Sequence, residues 1–302
     1  MKLFDSERDL VCNTSCMKLS LLSLSILIFF LLIKFESSLQ ADDKAHYASQ
    51  EPEPSRNLSL SLGVAFLGAP AFLGSKDYYM LVAPDLSLEF KDIAFLNFRD
   101  GLGVNVFNSH GLKIGPVMKP ALGRDEDGFN PFRITGKKTE ALRGLGDVGF
   151  GIELGGFADF TLSKFSLRGE LLKAIGAHNA WIGETSLKYS SMFFGLGPPI
   201  IFAFGPELQF ASSKFSRTYW GVTSKQAAAS GLSQYTPGSG IVSYGLSAFA
   251  LMPLVRDLAA TLFFAYDRLA PDLAKSSFIK QKGSSDQFGG GIGLSYKFTL
   301  IE

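Results

Sequence analysis

Apolar and polar positions alternate along most of this chain. In QFGGGIGLSYKF, residues 287–298, Phe288, Gly290, Ile292, Leu294, Tyr296 and Phe298 share one parity, and Gly289, Gly291, Gly293, Ser295 and Lys297 share the other. A period of two is that of a β-strand with one apolar and one polar or small face. NLSLSLGVAF repeats it with Leu58, Leu60, Leu62, Val64 and Phe66 against Asn57, Ser59, Ser61, Gly63 and Ala65. MLVAPDLSLEF, DVGFGIELGGFADF, FSLRGELLK, AWIGETSLKYS, IIFAFGPELQF, YGLSAFAL and LAATLFFAYD continue it.

Charges recur on the polar parity: Asp85, Glu89, Glu153, Asp159, Arg168, Glu170, Glu184, Lys188, Glu207 and Lys297. A soluble sandwich would turn these to solvent and bury the aromatics. A transmembrane barrel inverts the arrangement, with the apolar parity toward lipid and the charged parity toward a polar interior. Strand length favours the barrel, because runs of about ten residues suit a tilted crossing of the hydrocarbon. Connections alternate too: TLSK, FGLGPP and PLVRD are tight, whereas 119–146, 213–240 and 269–286 are long and polar. The pattern predicts an all-β, antiparallel transmembrane β-barrel of about twelve strands with both termini on the periplasmic side. The weakest pair is AFLNF and GLGVNVF, within 94–107, and merging it elsewhere gives ten strands.

Residues 17–41 read as a signal peptide, with Met17-Lys18 before the apolar run Leu19 to Ile33 and cleavage after Ala41. Residues 1–16 have no role in such a peptide and read as a mis-assigned upstream extension. Both cysteines, Cys12 and Cys16, lie there, so a chain starting near Asp42 would hold neither a disulfide nor a Cys nucleophile. Residues 42–56 form a polar, proline-containing leader. The barrel is assigned to 57–298, and 299–302 to a short C-terminal overhang.

Lys and Arg number 29 against 28 for Asp and Glu, so no basic footprint argues for nucleic acid. Outer-membrane lipid and the barrel assembly machinery are the partners that a barrel implies. A last strand ending in alternating apolar residues and an aromatic is an assembly signal in such proteins, and Tyr296 and Phe298 occupy the matching places, with Leu300 as the alternative anchor.

YWGVTSKQAAASGLSQYTPGSG (219–240) and the strands that follow it resemble the MipA/OmpV family of outer-membrane barrels, the MltA-interacting proteins. DGLGVNVFNSHGLKIGP (100–116), LRGLGDVGFGIEL (142–154) and GAHNAWIGE (176–184) extend the resemblance over most of the chain after residue 56. Family members commonly carry Asp-Ser-Pro before the last strand, where this chain has Lys275-Ser276-Ser277-Phe278. The resemblance implies a non-enzymatic scaffold in a Gram-negative outer membrane, joining a lytic transglycosylase to a penicillin-binding protein. A small channel and an adhesin are the alternative classes.

Candidate chemistry is sparse. GLGDVG, Gly144 to Gly149, is a literal G-x-G-x-x-G, yet no strand precedes it and no helix follows, so the helix N-terminus that holds a pyrophosphate is missing. His46, His110 and His178 share no ligand spacing, and neither a metal nor a cofactor is expected. Arg124-Asp125-Glu126-Asp127 reads as a solvated loop rather than as catalytic acids. Thr223 or Ser224 is placed to cap a short helix through Gln226 to Ser230, stopped by Gly231. Tyr219 and Trp220 are the candidate outer-rim contacts, expected at headgroup level.

Overall fold

Alternation becomes a closed wall in the computed structural model, which describes residues 58–301 apart from 122, 131, 137, 196 and 197. The expected extension, signal peptide and leader lie outside the described residues. Fourteen strands form one antiparallel sheet: β1 (Leu58–Pro70), β2 (Tyr78–Phe90), β3 (Ala94–Asn97), β4 (Gly101–Val104), β5 (Phe107–Ser109), β6 (Leu112–Ala121), β7 (Arg133–Thr135), β8 (Gly151–Leu162), β9 (Phe165–Gly176), β10 (Trp181–Phe193), β11 (Ile200–Ala211), β12 (Gly240–Val255), β13 (Leu258–Leu269) and β14 (Asp286–Ile301). β1 pairs with both β2 and β14, which closes a ring of 12 strands. β5 prolongs β4 along β6, and β7 lies on the edge of β2.

Each strand sorts its side chains by parity. On β8, Ile152, Leu154 and Phe160 face outward and are exposed, while Glu153, Phe157 and Asp159 face inward and are buried. The outward belt includes Leu62, Phe66, Leu167, Leu187, Phe204, Leu246, Leu262 and Ile292. Such a continuous apolar exterior is stable only against hydrocarbon. The ends of the described chain lie together, since Leu58 pairs with Ile301. Short connections such as 163–164 and 256–257 share that end, and the segments 122–150, 212–239 and 270–285 gather at the other, the loop end.

AFLNF and GLGVNVF do form separate strands, but short ones. β3 and β4 have 4 residues each, and their turn at 98–100 folds into the lumen. Asn97 and Asp100 hold it, the Asp100 amide donating to Asn97 Oδ1 at 2.6 Å. Gly101 has φ 78°, and a Cβ there would meet the Met118 carbonyl oxygen at 2.2 Å, so this turn requires glycine.

At its other extreme the sheet departs from expectation. The β1–β14 ladder continues beyond Phe298, with Ser59 opposite Thr299 and Leu58 opposite Ile301. Residues 299–301 are therefore strand rather than overhang, because β1 begins early enough to pair with them.

Candidate functional site

Two structures fill the barrel: an ionic cluster across the lumen and an apolar cap at the loop end. The cluster begins at the inward turn of β3–β4. Arg168 Nη2 on β9 lies 3.3 Å from Asp100 Oδ1, and Arg168 Nη1 lies 3.6 Å from Asp159 Oδ2. Its guanidinium also covers the Phe157 ring at 4.8 Å. Lys119 Nζ donates to Glu170 Oε1 at 2.5 Å. Across the lumen, Lys188 Nζ donates to Glu207 Oε1 at 2.6 Å and contacts the Ser247 hydroxyl, which donates to the same Glu207 oxygen at 2.5 Å. Arg99 Nη2, 3.9 Å from Glu207 Oε1, joins the two halves.

The space left between Arg99, Asp100, Lys119, Arg168, Glu170, Glu184 and Ser186 is about 10 Å³, near the least that admits one water. Among the described residues, alternating signs pack this part of the lumen. Removing Glu170 would take from the buried Lys119 cation the carboxylate it donates to, a loss that typically costs about 3–5 kcal/mol. FRD between two short strands is the sequence trace of this plug. The strand pattern alone does not show that the turn points inward.

The cap is built from four short helices: α1 (Ser213–Trp220), α2 (Ser224–Ser230), α3 (Pro271–Ala274) and α4 (Ser277–Lys282). Phe72 stacks on Phe278 with centroids 5.4 Å apart, and Phe215, Trp220, Val222, Leu232, Leu273 and Ile279 join the same core. Thr223 caps α2 in a full capping box with Gln226, and Gly231 ends the helix at φ 73°. The pattern Gly221-Val222-Thr223, Gln226, Ser230-Gly231-Leu232 and Tyr235 thus encodes how the cap folds. Gln226 Nε2 donates to the Leu145 carbonyl at 2.5 Å, and Tyr235 Oη donates to the Asp272 carbonyl at 2.6 Å.

Trp220 is 1% exposed, so it does not sit at a headgroup level. Its neighbour Tyr219 is half-buried beside it, rings 5.9 Å apart. Helix α1 turns both into the cap, where Ser276 donates to the Trp220 carbonyl at 2.7 Å. The outward tryptophan is Trp181 on β10, with Lys173 Nζ 5.5 Å from its ring centroid. Tyr296 and Phe298 are outward and exposed, their rings 4.7 Å apart, and Leu300 is exposed beyond them.

The two polar motifs of the loop end satisfy each other. Glu126 Oε2 accepts from the Gly144 and Gly146 amides, each at 3.0 Å, and the Glu126 amide donates to Asp147 Oδ1 at 2.7 Å. Arg124 Nη1 donates to the Tyr219 carbonyl at 2.7 Å, and burial lowers its pKa to about 10. Burial pushes the Tyr219 phenol up, and the Glu153 carboxylate adds to this while Arg124 opposes it. His178 Nε2 lies 2.9 Å from Glu153 Oε1, with Phe215 edge-on to the imidazole at 4.7 Å. His110 contacts Ser109 Oγ in a tight turn at the terminal end, and His46 lies outside the described residues. Among the described residues, no three His, Cys, Asp or Glu side chains are placed to share a metal.

An apolar exterior, a closed antiparallel ring and a polar, ion-paired interior define an outer-membrane-type β-barrel protein. The chain belongs to the MltA-interacting protein MipA family, whose sequence model matches residues 62–298. No curated protein matches it. Among solved structures it is similar to the COG4313 outer membrane channel from Pseudomonas putida F1, at 10% identity over 82% of this chain and 100% of that one, with a TM-score of 0.38. It is also similar to the outer membrane protein OprG from Pseudomonas aeruginosa, at 12% identity over 80% and 96% of the two chains, with a TM-score of 0.26.

Proposed function

We propose that this protein is a non-enzymatic scaffold of the Gram-negative outer membrane that holds murein-remodelling enzymes, a lytic transglycosylase and a penicillin-binding protein, at the membrane. The observation that carries this reading is the filled barrel: the 98–100 turn and its ion pairs occupy the lumen, and an apolar core closes the loop end. A barrel whose lumen, among the described residues, is packed by ion pairs and capped by an apolar core works through the surfaces it presents. The family description, which names an interaction with MltA, supplies the partner class. In this reading the terminal end, with its tight turns, faces the periplasm and meets the enzymes, and Tyr296 and Phe298 guide insertion by the assembly machinery. The test is affinity capture of the protein from detergent-solubilised envelope, with identification of what accompanies it. Recovery of a transglycosylase and a penicillin-binding protein is expected. Capture without either enzyme, alongside ion conductance of the purified barrel, would replace the scaffold with a channel.

A further inference from the structure

Between Lys173 and Gly240 the chain carries two acids, Glu184 and Glu207, and both are spent on the lumen. Glu207 pairs with Lys188, and Glu184 lines the ionic cluster. The remaining cations of this stretch stay outside: Lys214, Arg217 and Lys225 are exposed at the loop end, and Lys173 is half-buried on the outward parity of β9. Among the described residues no ion pair takes up Lys173, Lys214 or Arg217. Further round the rim the situation differs. Arg268 Nη1 lies 2.6 Å from Asp286 Oδ1, which also accepts from Tyr266 Oη at 2.7 Å.

The unpaired cations converge on one outward aromatic. Trp181 is the cross-strand partner of Lys173, whose Nζ lies 5.5 Å from the indole ring centroid and donates to the Asn179 carbonyl at 3.2 Å. α1 begins beside the same residue, since the Trp181 amide donates to Ser212 Oγ at 3.2 Å and the Ser212 amide donates to the Trp181 carbonyl at 3.0 Å. Arg217 folds back along α1 to this point, donating from Nη2 to Ser213 Oγ at 2.6 Å and from Nε to the Ser213 carbonyl at 3.2 Å. Lys214, three residues before Arg217, shares its helix face, because Phe215, Ser216 and Trp220 are the residues that α1 buries. The apolar belt starts immediately below. Two positions along from Trp181, the Phe210 ring lies over Gly183, and the exposed Leu171 is the other cross-strand neighbour of that glycine.

We propose that Lys173, Trp181, Lys214 and Arg217 form a docking site for the phosphate headgroup of an anionic membrane lipid at the loop-end rim of the barrel. Charge complementarity selects the headgroup, since phosphate is the anion that membrane lipids present to basic groups at the surface. Position selects a lipid over a soluble anion. The cations stand at the edge of an apolar wall, where a tryptophan marks the headgroup level and Leu171 and Phe210 meet the chains. Arg217 is the group best shaped for phosphate, its planar fork matching two oxygens, while Lys173 and Lys214 add point charges. Arg268, already neutralised by Asp286, takes no part.

Trp181 itself reports on the site. It is 48% exposed on the outer wall, whereas the other tryptophan, Trp220, is 1% exposed in the cap, so a nitroxide carried high on a lipid chain quenches the first and spares the second. The full barrel is reconstituted in phosphatidylcholine vesicles holding a small, fixed fraction of nitroxide-labelled phosphatidic acid or of phosphatidylcholine with the same label. The ratio of quenching by the two probes cancels any change in the emission of Trp181. Phosphatidic acid is expected to quench more strongly. Lys173→Gln and Arg217→Gln should each cut the excess by about fivefold, the effect of one basic residue at a charged lipid surface. Lys173→Arg, which keeps the charge, should retain it. Arg268→Gln removes the same charge three strands away and should leave the excess in place. Heat-modifiable migration checks that each variant is a folded barrel. Inorganic phosphate, matched to the lipid phosphate concentration, should not compete, because it has no chains to rest on the wall. Equal quenching by the two probes would overturn the site. So would an excess that survives Lys173→Gln with Arg217→Gln, falls equally in Arg268→Gln, or is abolished by inorganic phosphate.

Discussion

Glu126 Oε2 sits 3.0 Å from the Gly146 amide nitrogen, and the Gly144 amide donates to the same oxygen. The glycine-rich segment, a false signal for dinucleotide binding, is a nest already filled by a carboxylate of the same loop system. Glu126→Ala should leave two amides without their acceptor and destabilise this loop by about 1–3 kcal/mol. Limited proteolysis of the folded barrel would show it as faster cleavage within 123–147. Glu126→Gln, which keeps a carbonyl acceptor, should restore most of the resistance.

The two strand parities face different media. Leu262→Arg, in the middle of β13, places a cation in hydrocarbon and should impair insertion by about 2–4 kcal/mol, whereas Phe150→Arg, at the loop-end rim just before β8, should cost about 0–1 kcal/mol. Leu60→Arg belongs to the same parity. Arg at Ser61, on the inward parity, should be tolerated better. Gly151 is a poor comparison, because a Cβ there would meet the Ile175 carbonyl oxygen at 2.5 Å. Heat-modifiable migration on a gel reads folded against unfolded barrel. Equal tolerance at Leu262 and Ser61 would contradict the assignment of faces.

Asp125 gives the loop end a pH dependence. Burial raises its carboxyl above the ordinary range, partly offset by the Asp127 amide, which donates to its Oδ1 at 2.8 Å. With the folded pKa above the unfolded one, its contribution to stability is complete below the ordinary carboxylate value of about 4 and is lost as pH rises through the raised value. Asp125→Asn, neutral throughout, should remove this slope. Protease resistance of the two proteins, compared from acid to neutral pH, should diverge across that window. Parallel profiles would exclude Asp125 as the source.

At the C-terminus, Thr299 and Ile301 pair with Ser59 and Leu58, and Leu300 is exposed on the same parity as Tyr296 and Phe298. Deleting 299–302 removes the last rungs of the closing ladder and should lower assembly yield. Phe298→Ala and Tyr296→Ala should lower it as well, each losing a large apolar contact at the membrane edge. A deletion that improves yield would show that the insertion signal ends at Phe298.

The barrel was legible because a strand exposed to lipid on one side and charge on the other writes both environments into alternate residues. Long and short connections fixed which turns share an end. The α2 cap was legible from Thr223, Gln226 and Gly231, since capping is local chemistry. Interior contacts were not legible. Nothing local in Tyr219-Trp220 says that α1 turns its aromatics inward, and an amphipathic rim and a buried cap carry the same residues. The Arg99–Asp100 plug joins partners from β9 and β11, far apart in sequence, so only closure of the ring reveals it. The pairing of Thr299 and Ile301 likewise depended on where β1 begins.

A filled barrel is the central claim, and single-channel recording of the purified, reconstituted protein in planar bilayers tests it most directly. The ion-paired 98–100 turn and the apolar cap predict membranes that stay electrically silent after insertion, with folded barrel recovered from them. Regular stepwise conductance from the wild-type protein would contradict the account, because ions would then be crossing a lumen that Arg99, Asp100, Arg168 and Glu207 are described as filling.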